Sequence, residues 1–177
     1  MDSIALLREQ IKDAHEWLEA TMADVTPAQA GWMPPGTANP LGATYAHAVI
    51  VEDSVVNGML KGSAPLGSST WAGKTGLDHP MPGPGPDFQH YPAWTRSVKV
   101  ELPALRQYAQ AVYAATDQYL SSLKPADLDR TLDLSGAGMG QQGLAWVLNR
   151  LILGHIDNMC GEISVLKGVQ GGKGYPM

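Results

Sequence analysis

A single cysteine, Cys160, among 177 residues excludes any intrachain disulfide, so packing rather than cross-linking must hold this chain together. Basic charge is scarce too. Twelve Lys and Arg against seventeen Asp and Glu leave a formal charge of −5, and no basic cluster offers the electrostatic footprint that nucleic acid requires. No uncharged apolar run is long enough to span a bilayer. Residues Met1 to Gln10 carry charges where a signal peptide would have an apolar core, so a cytoplasmic location is expected. No nucleophile elbow, phosphate loop, dinucleotide fingerprint or Cys-x-x-Cys pair occurs, and no spacing links Ser, His and Asp into a triad.

What is present is the composition of an ordinary globular domain, 44% hydrophobic and 16% charged, long enough for one domain over 1–177 with a full core. Four helical patterns organise it. Ile4, Leu7, Ile11, Ala14, Leu18 and Met22 recur at spacings of three and four. Asn39 as N-cap and Pro40 at the first helical position open a second helix carrying Leu41, Thr44, Ala48, Val51, Val55 and Met59 inward. The third runs from Trp94 through Leu105 and Val112 to Leu123, with a kink or break expected at Pro103. In the fourth, Leu144, Leu148, Leu151, His155, Met159, Glu162 and Leu166 share a stripe. The expected helices are 3–23, 40–61, 92–123 and 141–167.

Between the second and third lies Lys61 to His90, whose five prolines and six glycines forbid a continuous helix or central strand. A link of that length can run along the molecule and leave helices 2 and 3 parallel. The expected fold is therefore all-α, a four-helix bundle with a long crossover between helices 2 and 3. Thr131 to Gln142, with its Gly-rich core, reads as a loop with a small hairpin.

One spacing carries chemistry. His155 and Met159 stand at i and i+4 on one helix face, and His47 occupies the apolar run from Leu41 to Leu60. Crossing helices would bring His47, His155 and Met159 together as the frame of a three-ligand metal site with a thioether in one position. A thioether is soft, whereas open zinc sites prefer imidazole and carboxylate, so Met159 also reads as apolar filling. Glu162 lies seven residues beyond His155, about 10 Å along the axis, which suits a supporting role better than ligation. His15 reads as surface or packing beside the first stripe, His79 and His90 as solvated crossover residues, and Cys160 as a small buried one.

These features in this order resemble the DinB-like superfamily, also called YfiT-like, of bacterial four-helix proteins. The match lies in the long first helix, mid-helix His47 within Ala43-Thr44-Tyr45-Ala46-His47-Ala48, the long crossover, His155, and Gly161-Glu162-Ile163. Met159 stands where the family usually has the second His of a His-x-x-x-His pair. The resemblance implies a divalent metal, zinc or nickel, on three histidines, and in some members thiol-dependent transferase or isomerase activity with bacillithiol, mycothiol or glutathione. With Met159 in place, weak or absent metal binding is expected, together with a small-molecule pocket around the degenerate site. The rivals are a metal-dependent thiol transferase with His47 and His155 as ligands, and a non-catalytic dimeric bundle. A homodimer is expected, with Tyr108, Ala111 and Tyr113 as outward positions of helix 3.

Overall fold

The first apolar stripe folds as α1 (Ser3–Met22), burying Ile4, Ile11, Ala14, Leu18 and Met22. Asp2 caps it by accepting the Ala5 N–H at 2.8 Å. A short α2 (Pro27–Gly31) starts on a reciprocal cap between Thr26 and Gln29. The second long helix begins one residue later than the sequence suggests, because Pro40 itself serves as N-cap of α3 (Leu41–Asp53). Ten of its thirteen residues are buried, which makes α3 the central helix, apolar nearly all round. It continues as a π-helical stretch, Ser54–Leu60. The computed structural model describes residues 1–177.

The expected third helix is two helices, α4 (Tyr91–Ser97) and α5 (Leu102–Ser121). The break falls at 98–101, and Pro103 sits in the first turn of α5, where its missing N–H costs nothing. The extended break holds the crossover down: Leu77 bridges Val100, and the Glu101 N–H donates to the Gly76 carbonyl at 2.8 Å. Gly76 has φ +79°, and a Cβ there would lie 2.6 Å from both Glu101 O and Leu105 N. Only glycine fits so close a backbone crossing.

The expected hairpin is present, with β1 (Thr131–Asp133) antiparallel to β2 (Gln141–Gly143). It leads into α6 (Leu144–Val147), a π-helical stretch at Leu148–Leu153, and α7 (Gly154–Val169).

Side-chain pairings fix the directions. Arg8 meets Asp117 and Arg106 meets the Met22 carbonyl, so α5 runs against α1. Tyr45 meets Glu19 and Glu52 meets His15, so α3 also runs against α1. Helices α3 and α5 therefore share a direction, as the long crossover requires. Cys160 meets Thr21 and Lys167 meets Asp24, which sets α7 parallel to α1.

Two expectations need correction. Tyr108 and Tyr113 are buried, and their hydroxyls point to carboxylates inside the bundle, so they offer no outward face. In the last helix the core stripe is Leu148, Ile152, Ile156, Cys160 and Ile163. Leu151, His155 and Met159 lie half-buried beside it, and Glu162 is exposed. The π-helical stretch is the reason. Its i→i+5 hydrogen bonds widen the helix and shift the phase that a regular 3.6-residue count assumes.

Candidate imidazole site between α3 and α7

His47 is the one half-buried position in the run from Leu41 to Val49, and it faces α7. There the π-helical stretch ends at Leu153 and delivers His155 as the second residue of α7. The two side chains meet: His155 Nε2 lies 3.2 Å from His47 Nε2, with the rings edge-on at 62°. Thus the first pair expected from the sequence is brought together in space. Met159, one turn beyond His155, is half-buried against the apolar core.

The crossover and the start of α4 pack on His47. Met81 sets its sulfur 3.4 Å from His47 Nδ1. Tyr91 packs on the His47 ring at 4.9 Å, and Phe88 stacks on Tyr91 at 10°. Read as a hydrogen bond, the Met81 contact assigns the tautomers. A thioether can only accept, so His47 Nδ1 carries the proton and its Nε2 is a lone pair. His155 Nε2–H then donates to it, which leaves His155 Nδ1 as the basic nitrogen of the pair.

Both rings are held neutral. Burial, reinforced by the neighbouring His155, brings His47 down to about 4. Burial also lowers His155, with the Glu52 carboxylate pulling the other way. Desolvation by its neighbours raises the Glu162 carboxyl. The charge on Glu162 acts on Tyr91, whose phenol is pushed to about 12, mainly by burial. It makes no hydrogen bond to either imidazole.

A divalent ion fits this donor set poorly. The two facing nitrogens already share a hydrogen bond, and no group of three His, Cys, Asp or Glu side chains converges beside them. Metal-bound histidines usually donate their other N–H to a carboxylate or carbonyl, which strengthens the ligand. His47 has only the sulfur of Met81 in that role.

Sequence reading missed a second polar cluster one and a half turns along α3. Buried Glu52 accepts from His15 Nε2 at 2.9 and 3.0 Å and from the Thr116 hydroxyl at 2.5 Å. Its neighbour Asp53 accepts from the Leu66 and Gly67 N–H groups, Asn57 and Tyr108. The signal was available. Two adjacent carboxylates inside an otherwise apolar helix demand internal partners. His15, expected at the surface or in packing, is one of those partners. His79 instead pairs with Asp78 in the crossover, and His90 is exposed.

A family model described as the DinB superfamily matches residues 3–156. A solved structure described as a conserved protein from Enterococcus faecalis superposes with a TM-score of 0.69 at 26% identity, over 95% of this chain and 99% of that one. No curated protein matches the chain.

Proposed function

The chain belongs to the DinB superfamily, and from that premise we propose that it binds a small molecule at a neutral imidazole pair standing where the resemblance implies a metal. The observation that carries this reading is the direct 3.2 Å contact between His47 and His155. One N–H bridges the two rings, so the pair satisfies itself without an ion. His155 Nδ1 remains as an acceptor for a ligand hydroxyl, thiol or amide. The residues packed on His47, Met81 and Tyr91, belong to the crossover and α4 rather than to the long helices. Loops on a rigid scaffold are where motion is cheapest.

One observation favours the rival, a metal-dependent thiol transferase. Two imidazole nitrogens on a tetrahedral ion with bonds near 2.0–2.1 Å stand roughly 3.3 Å apart, close to the separation here. In that reading the ion would hold a thiol as thiolate and sharpen it as a nucleophile, with His47 and His155 as ligands.

Zinc separates the two readings. Protein dialysed against chelator and titrated calorimetrically is expected to bind zinc weakly, whereas Met159→His should gain affinity by roughly two orders of magnitude or more, as expected for a third nitrogen ligand. Wild-type protein retaining one equivalent of zinc through that dialysis would overturn the proposal in favour of the rival. In the metal-free protein, ligand binding should move the imidazole nitrogen resonances of His155. Fragments carrying hydroxyl, thiol or amide groups that leave both imidazoles unmoved would also count against it.

A further inference from the structure

A cleft of about 640 Å³ runs between α1 and α5, on another side of the bundle from the imidazole pair, with Arg8, Lys12, His15, Glu19, Tyr113 and Asp117 among its walls. We propose that this cleft is a second ligand site, built for a small organic cation, a protonated amine with an apolar body. Glu19 would be its charge partner and His15 Nδ1 its hydrogen-bond acceptor.

The polar groups of the cleft are spent unevenly. Arg8 is paired with Asp117 at 2.7 Å and Lys12 with Glu16 at 3.4 Å, so both cations already have partners. Glu19 has none of opposite charge. Its Oε1 accepts the hydroxyls of Tyr45 and Tyr113 at 2.7 and 2.8 Å, and its Oε2 is uncommitted. The two phenols stay protonated donors, because burial raises both well above the ordinary tyrosine range. What remains in the cleft is an anionic oxygen, oriented and unpaired.

His15 supplies the second contact. It stands one helical turn before Glu19 on α1, and its ring stacks on Tyr113 at 3.8 Å. Tyr113 thereby touches both residues. With Nε2–H given to Glu52, Nδ1 is the ring nitrogen of His15 left over. That atom has no partner in the protein, yet no fully buried side-chain nitrogen or oxygen lacks one, so Nδ1 is accessible, and His15 lines the cleft. Buried Glu52, itself held by Thr116, fixes the tautomer and ring orientation, as a carboxylate behind a histidine does elsewhere. Ile11, Ala5 and Leu120 provide apolar wall, and the volume falls within the ordinary range for small-molecule sites.

The experiment uses the full chain with 2-phenylethylammonium as probe, and 2-phenylethanol and 3-phenylpropionate as neutral and anionic controls. Backbone and imidazole resonances are followed during titration. The amine is expected to bind in preference to both controls, with shifts confined to residues 5–20 of α1 and 110–120 of α5. The His15 Nδ1 resonance should move as it accepts a hydrogen bond. Glu19→Gln keeps an oxygen for the two tyrosines, so the fold should survive, while amine affinity drops roughly ten- to hundredfold. Equal binding of amine and alcohol, unchanged affinity in E19Q, shifts mapped away from the cleft, or no binding by the amine would each overturn the proposal. A purely structural role for the His15–Glu52 pair predicts no movement of Nδ1.

Discussion

Burial holds the His47 imidazole at about 4 against an ordinary 6.5, which makes acid stability a residue-scale property of this protein. Between those values the unfolded chain binds a proton that the folded chain refuses. Stability therefore rises with pH through that window and is lost on acidification. His155 is shifted in the same direction, whereas the raised carboxyls of Asp157 and Glu162 oppose it. In chelator-treated protein, the melting temperature of wild type should fall more steeply from pH 6.5 to 4 than that of His47→Gln, which has nothing to titrate at that position. Parallel curves for the two would rule out His47 as the cause.

At the scale of elements, Asp53 ties the end of α3 to the start of the crossover. Its two oxygens receive the Leu66 and Gly67 N–H groups at 2.9 Å, Asn57 at 2.8 Å and Tyr108 at 2.5 Å. Asp53→Ala leaves those donors without a buried acceptor, at a cost of roughly 2–4 kcal/mol. Amide exchange at Leu66 and Gly67 should accelerate far more than exchange in α1, because the loop loses its anchor while the helices keep their packing. Uniform acceleration across all helices would show that Asp53 supports the whole bundle rather than this junction. The π-helical stretch at Leu148–Leu153 acts at the same scale, since it sets which residues of α7 look inward and which, like His155, look across at α3.

For the molecule as a whole, one cluster of thirty buried residues joins all the long helices and reaches Trp94 in α4. A single shared core predicts a single cooperative transition. Unfolding by urea should give coincident curves from far-ultraviolet circular dichroism, which reports the helices, and from tryptophan fluorescence, to which buried Trp94 contributes. An earlier fluorescence transition would mean that the crossover detaches before the bundle melts. No helix is long and apolar enough to cross a membrane.

The amino-acid sequence by itself determined the helical class and the long Gly- and Pro-rich crossover, and it named His47 and His155 as candidates for one site. Each follows from local rules: apolar spacing, caps, chain breakers and the order of motifs. It did not determine the phase of the last helix, because a π-helical turn depends on what the helix packs against rather than on its own residues. Nor did it reveal that Tyr108 and Tyr113 turn inward, since only the assembled bundle places Asp53 and Glu19 where their hydroxyls can reach them. His15 looked like an edge residue for the same reason. Its partner lies thirty-seven positions away on another helix, and contacts at that distance belong to tertiary packing. Met81 is the plainest case. Nothing in a proline-rich loop announces that one of its side chains will sit against the His47 ring, and that packing is decided by where the crossover comes to rest.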